Sequence, residues 1–158
     1  MEKPDGLYDF IELQDELSED FKKEKDLVKF IEDNIVNFTN DLGFTYLSHA
    51  KEFPLQPFKK RHKGSKRIDL IINTKCGLRL GIECKRPKYK CELVSGLGQV
   101  LSYITMCETQ GIRVDKFYIV SSKTDLITAL TIARFNLPIG FIAMDKTKAI
   151  TWVGRKKN

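Results

Sequence analysis

The chain has 158 residues, 42% of them hydrophobic and 30% charged, with a formal net charge of +6. That length suits one domain with one substantial core, and the composition excludes a disordered or collagen-like chain. No apolar run approaches the roughly 20 residues that span a bilayer, and the opening MEKPDGLYDF lacks the apolar stretch of a secretory signal, so an intracellular, cytoplasmic protein is expected. The positive balance favours a polyanionic partner, nucleic acid or an anionic membrane face, although modest positive charge also serves solubility. No basic amphipathic helix is evident, which leaves nucleic acid ahead of a membrane. Four cysteines (Cys76, Cys84, Cys91, Cys107) form no CxxC pair and two histidines form no metal-ligand pattern. Free thiols in a reducing compartment are therefore expected rather than a structural zinc site.

The first element is a helix from about Ser18 to Leu42, with Phe21, Val28, Ile31, Ile35, Phe38 and Leu42 as its apolar stripe and Gly43 as its stop. Glu24 falls on that stripe, where a carboxylate needs a reason. Glu32 lies off its centre and reads as a solvated charge. A strand over Phe44–Phe53 precedes a basic loop with two prolines. Arg67–Asn73 and Leu78–Lys85 read as strands joined by a turn. Glu92–Gln110 has helical spacing. Next come a strand in KFYIVSS, a helix over Lys123–Asn136, and short strands in IGFIAMD and AITWV. The order α-β-β-β-α-β-α-β-β predicts an α/β fold, a mixed central sheet flanked by helices, as one domain over 1–158.

Strand parity isolates three polar residues. Leu80, Ile82 and Cys84 share one face of their strand, whereas Glu83 and Lys85 share the other; Asp69 has the parity of Ile71 and opposes Ile68, Leu70 and Ile72. A hairpin register can bring Asp69 beside Glu83 and Lys85. Two close carboxylates repel, and a hard divalent cation with oxygen ligands relieves that repulsion. The Cys84 carbonyl can add an oxygen, and Lys85 can hold water or offset charge on a phosphate. Taken singly, each residue reads as a surface ion pair worth ~0–1 kcal/mol.

Asp69 followed, after thirteen intervening residues, by Glu83-Cys84-Lys85 resembles the PD-(D/E)xK signature of restriction-endonuclease-like nucleases, and the element order resembles their αβββαβ core, here about 18–121, with 122–158 adding a helix and two short strands. Ile68 stands where the name-giving proline would be. Gln99 and Tyr103, four apart on one helix face with Gly96, resemble the Q-x-x-x-Y motif in the N-terminal nuclease domain of type I restriction motor subunits. That face is expected opposite Leu97, Leu101 and Ile104. The resemblance implies a Mg²⁺- or Mn²⁺-dependent nuclease, with Asp69, Glu83, the Cys84 carbonyl and a first-helix glutamate, Glu24, as metal ligands. It further implies that Lys85 serves the water or the transition state, and that Gln99 and Tyr103 position Lys85 and a phosphate.

Basic residues bracket this constellation. Lys59, Lys60, Arg61, Lys63, Lys66 and Arg67 precede Asp69, and Arg86, Lys88 and Lys90 follow Lys85. Such clusters can neutralise several phosphates, so contact with nucleic acid, with DNA foremost, is the expectation for Lys59 to Arg67, Arg86 and Lys88. Two other readings stay open: a Holliday-junction-type resolvase, which uses the same core as a homodimer, and a nucleic-acid-binding module that does not cut. His49 and His62 are given no catalytic role.

Overall fold

The computed structural model describes residues 21, 23–55, 66–86, 91–122, 126–144 and 152–154. Four helices and six strands occur among them: α1 (Glu24–Asp33), α2 (Ile35–Asp41), β1 (Tyr46–Leu55), β2 (Lys66–Thr74), β3 (Arg79–Lys85), α3 (Cys91–Gln110), β4 (Lys116–Ser121), α4 (Leu126–Arg134), β5 (Ile139–Ala143) and β6 (Trp152–Gly154). The strands form one sheet in the order β1-β2-β3-β4-β5-β6. β1, β2 and β3 are successively antiparallel, β3, β4 and β5 are parallel, and β6 returns antiparallel to β5. The predicted α/β class is observed, and the order of elements matches apart from the first helix, which is two. No helix among the described residues is long and apolar enough to cross a membrane.

The connections explain where the helices lie. β3 to β4 and β4 to β5 are both parallel steps in the same direction across the sheet, so their crossover helices fall on one face. That face buries Ile71, Val100, Tyr103, Phe117, Ile119 and Phe141, with Ala129 and Ile132 of α4 packed against them. The other face buries Leu70, Ile72, Leu80, Ile82 and Cys84 under Leu27 and Ile31 of α1 and Phe38 of α2. Parity therefore sorts these residues as the sequence predicts. Ile68, beyond the last rung shared with β3, joins the α3-side cluster despite its parity.

The structure also departs from the sequence expectation in the first helix, at the end of β1 and at Glu32. The single first helix is two: Asn34 leaves helical geometry at φ −118° and ψ 24°, and its side-chain amide donates to the Phe30 carbonyl at 2.9 Å. An Asn side chain that bonds the preceding turn competes with continuation of the helix. Leu27, fully buried, takes the core position assigned to Val28, which is only partly buried. β1 runs through Pro54 to Leu55 rather than stopping at Phe53; as the edge strand it tolerates a residue without an N–H. Glu32 is no solvated charge: its carboxylate accepts from His49 Nε2 at 3.1 Å and pairs with Lys51 Nζ at 3.1 Å, while His49 Nδ1 meets the Tyr46 hydroxyl at 2.7 Å. These contacts tie α1 to β1, and His49 is partnered on both ring nitrogens. His62 lies outside the described residues.

Candidate metal centre

The site is built on the β2–β3 hairpin. The turn that sets its register is closed by Thr74, whose hydroxyl donates to the Leu78 carbonyl at 2.7 Å, and by Gly77 at φ +91°, a conformation other residues rarely adopt. Leu70 then faces Ile82, the last pair of the ladder, and Asp69 and Glu83 are the next residues along the two strands. The Asp69 carboxylate accepts the Cys84 N–H at 2.8 Å and so takes over where the ladder ends. The Lys85 carbonyl accepts from Ser122 N on the β4 side, which turns the backbone groups of Cys84 towards β2 and Asp69. Burial, with Asp69 and Glu83 nearby, pushes the Cys84 thiol up, leaving it a buried, protonated filler.

Glu24, Asp69 and Glu83 each bring a carboxylate oxygen within 4.8 Å of the others. Glu24 is exposed, Asp69 half-buried and Glu83 only 3% exposed. Glu83 Oε1 lies 3.6 Å from Lys85 Nζ, but Oε2 is buried with no hydrogen-bond partner among the described residues. Burial is the main cause that pushes the Glu83 carboxyl up to about 8, and the charge of Asp69 adds to it while Lys85 opposes it. Asp69 is also raised by burial, against the Cys84 N–H and Lys85.

Glu83 binds its proton more tightly folded than unfolded, so folding takes up a proton and the stability of metal-free protein falls as pH rises. The loss begins near the ordinary value of 4.5 and is complete above about 8. At ~1.4 kcal/mol per pH unit of difference it amounts to a few kcal/mol. Urea midpoints in chelator should therefore decline from pH 5 to pH 8; a rise over that window contradicts the burial argument.

Lys85 is held from the α3 layer. Its Nζ donates to Gln99 Oε1 at 2.6 Å, and Gln99 Nε2 donates to the Tyr103 hydroxyl at 2.5 Å. Tyr103 is 2% exposed, and burial followed by the charge of Glu83 pushes its phenol to about 12, so it stays protonated. The face carrying Gly96, Gln99 and Tyr103 is thus the one against the sheet, not the one opposite the apolar residues; Leu101 and Ile104 lie on its flank and are partly buried. Gly96 is where α3 passes the lysine stem: a Cβ there would sit 3.4 Å from Lys85 Cγ and Cε. An alanine just fits. Gly96→Ala should add about 0.5–1 kcal/mol through helix propensity, and Gly96→Ile should cost about 1–3 kcal/mol by overpacking, both read from denaturant midpoints.

Of the basic positions, Lys66 is exposed at the start of β2, Arg67 pairs with Glu52 at 3.5 Å across β1, and Lys59, Lys60, Arg61, Lys63 and Lys88 lie outside the described residues. Arg86 is half-buried and donates through Nε to the Phe21 carbonyl, a contact its place in a basic run did not announce. Cys76, Cys84 and Cys107 are free thiols.

A divalent cation fits this donor set. Among the described residues Glu83 Oε2 is buried without a donor, and three convergent carboxylates repel one another, which a cation with oxygen ligands relieves; Lys85 Nζ lies 3.6 Å from Glu83 Oε1. Compared with family models, curated proteins and solved structures, the chain matches none.

Proposed function

We propose that this chain is a Mg²⁺- or Mn²⁺-dependent nuclease of PD-(D/E)xK type, with a restriction-endonuclease-like core, that hydrolyses phosphodiester bonds in nucleic acid, DNA being the expected substrate. The observation that carries the reading is the buried, unpartnered Glu83 Oε2 within a three-carboxylate group that has an ammonium beside it. A structural ion pair would satisfy both carboxylate oxygens, because an unmet buried acceptor costs about 1–3 kcal/mol.

Asp69, Glu83 and Glu24 would hold the cation, with the Cys84 carbonyl on the side that Asp69 occupies. When bound, the cation supplies a Lewis acid for a phosphoryl oxygen and for water. The chain's own residues do the rest. Glu83, kept from solvent, holds its proton to about pH 8, and the arrival of positive charge releases it at lower pH, which couples cation binding to a drop in bound protons. Lys85 presents its ammonium at the mouth of the group, where it can orient an attacking water and offset the charge that develops on the phosphate. Gln99 fixes the Lys85 head, and Tyr103 fixes Gln99. The net charge of +6 and the basic residues on either side of the hairpin in sequence favour a phosphate backbone, and binding should weaken steeply with salt.

The test is incubation with supercoiled plasmid, linear duplex, single-stranded and four-way-junction DNA in Mg²⁺, in Mn²⁺ and in chelator. Metal-dependent cutting is expected. Cutting confined to four-way junctions would select the resolvase, and the same panel would then be read beside oligomeric state in solution. Tight DNA binding with no cutting in either metal would overturn the catalytic reading and leave a binding module.

A further inference from the structure

We propose that Arg86 is a positioning residue for the carboxylate group: it holds the entry of α1 so that Glu24 closes onto Asp69 and Glu83. The inference rests on the metal reading of the site.

Lys85 and Arg86 are consecutive at the end of β3, and consecutive side chains leave a strand on opposite faces. Lys85 enters the α3 layer, where Gln99 receives it. Arg86 turns to the other layer, where its Nε donates to the Phe21 carbonyl. This one dipeptide thus anchors both helical layers to the same strand end.

Phe21 is a fixed point: it is 1% exposed, sits in the α1-side core and meets the Phe30 ring edge-on at 5.4 Å. At the start of α1 the Lys23 N–H donates to Asp26 Oδ2 at 3.0 Å and the Asp26 N–H donates to the Lys23 carbonyl at 3.0 Å. Phe21 stands three residues before Glu24, the first residue of α1, so a contact that anchors Phe21 limits where that helix can begin. Glu24 is exposed, unlike the two carboxylates it joins. The three carboxylates repel one another, so the place of Glu24 beside Asp69 and Glu83 depends on where α1 begins. The Arg86 guanidinium holds the Phe21 carbonyl.

Mn²⁺ binding to the full chain, followed by electron paramagnetic resonance at pH 8, tests this in wild type, Glu24→Ala, Arg86→Met, Arg86→Lys and the Glu24→Ala/Arg86→Met double variant, each checked for folding by circular dichroism. Arg86→Met should weaken Mn²⁺ about tenfold, the low end of what losing a ligand's support costs. The double variant should bind no more weakly than Glu24→Ala alone, and Arg86→Lys should recover most of the affinity because an ammonium can donate to the same carbonyl. Unchanged affinity in folded Arg86→Met overturns the inference, as does a double variant that loses a further tenfold. If Arg86→Met does not fold, the lysine variant decides: its affinity must stay near wild type. Wild type that binds no Mn²⁺ would sink the metal reading and this inference with it, a failure told apart from the others by the wild-type titration itself.

Discussion

Replacing Glu83 with glutamine should abolish metal-dependent cleavage and, in the same molecule, stabilise the metal-free protein at pH 8. The two effects have one origin. Glu83 is buried with one carboxylate oxygen unpartnered, and its carboxyl is pushed up to about 8. The amide of the Glu83→Gln variant is neutral at every pH, so the cost of ionising a buried acid beside Asp69 disappears and the decline in stability from pH 5 to pH 8 flattens. The gain should be a few kcal/mol at pH 8 and close to nothing at pH 5, where the wild-type carboxyl is already protonated. On the proposed nuclease reading, cleavage requires the charge that was removed. Loss of a metal ligand would withdraw several kcal/mol of transition-state stabilisation, so the rate should fall by about 10³-fold or more. Urea titrations at the two pH values and a plasmid-nicking assay read the two arms separately. A variant that is less stable than wild type at pH 8 would contradict the electrostatic account, whatever its activity.

On the same proposed reading, Lys85→Met should separate the chemistry from cation binding. The thioether keeps the bulk of the lysine stem beside Gly96 and removes only the ammonium, which lies 3.6 Å from Glu83 and 2.6 Å from Gln99. Cleavage should drop about 10²- to 10⁴-fold, the range for a group that moves a proton or balances charge in the transition state. Mn²⁺ affinity at pH 8 should be unchanged or tighter, because a positive charge next to the cation has been removed. Concurrent loss of both would assign Lys85 to holding the carboxylates rather than to the reaction. In metal-free protein the same variant should steepen the pH dependence of stability, since Lys85 is a charge that lowers both Asp69 and Glu83.

Much of the site was legible because strands and helices impose short periods. Parity alone separated Glu83 and Lys85 from Leu80, Ile82 and Cys84, and the structure buries those three against α1 and α2. The i, i+4 spacing placed Gln99 beside Tyr103, and the two are hydrogen-bonded. Which arc of α3 meets the sheet was not legible. That helix is apolar around much of its circumference, with Leu97, Val100, Leu101, Ile104 and Cys107 all candidates, so periodicity fixes neighbours along the helix but not the side that is covered. The break at Asn34 was masked in the same way, since the apolar stripe continues through both helices.

By itself the sequence determined the class of fold, the order of its elements and the polar residues left over once each strand's apolar face was assigned, because these depend on contacts between residues a few positions apart. Only the tertiary structure decided which distant groups meet. Glu32 reaches His49 and Lys51 on β1, Glu24 crosses to the hairpin carboxylates, and Arg86 takes the carbonyl of Phe21. Each of these depends on how a helix is seated on the sheet, and that is set by the summed packing of both cores rather than by any local spacing.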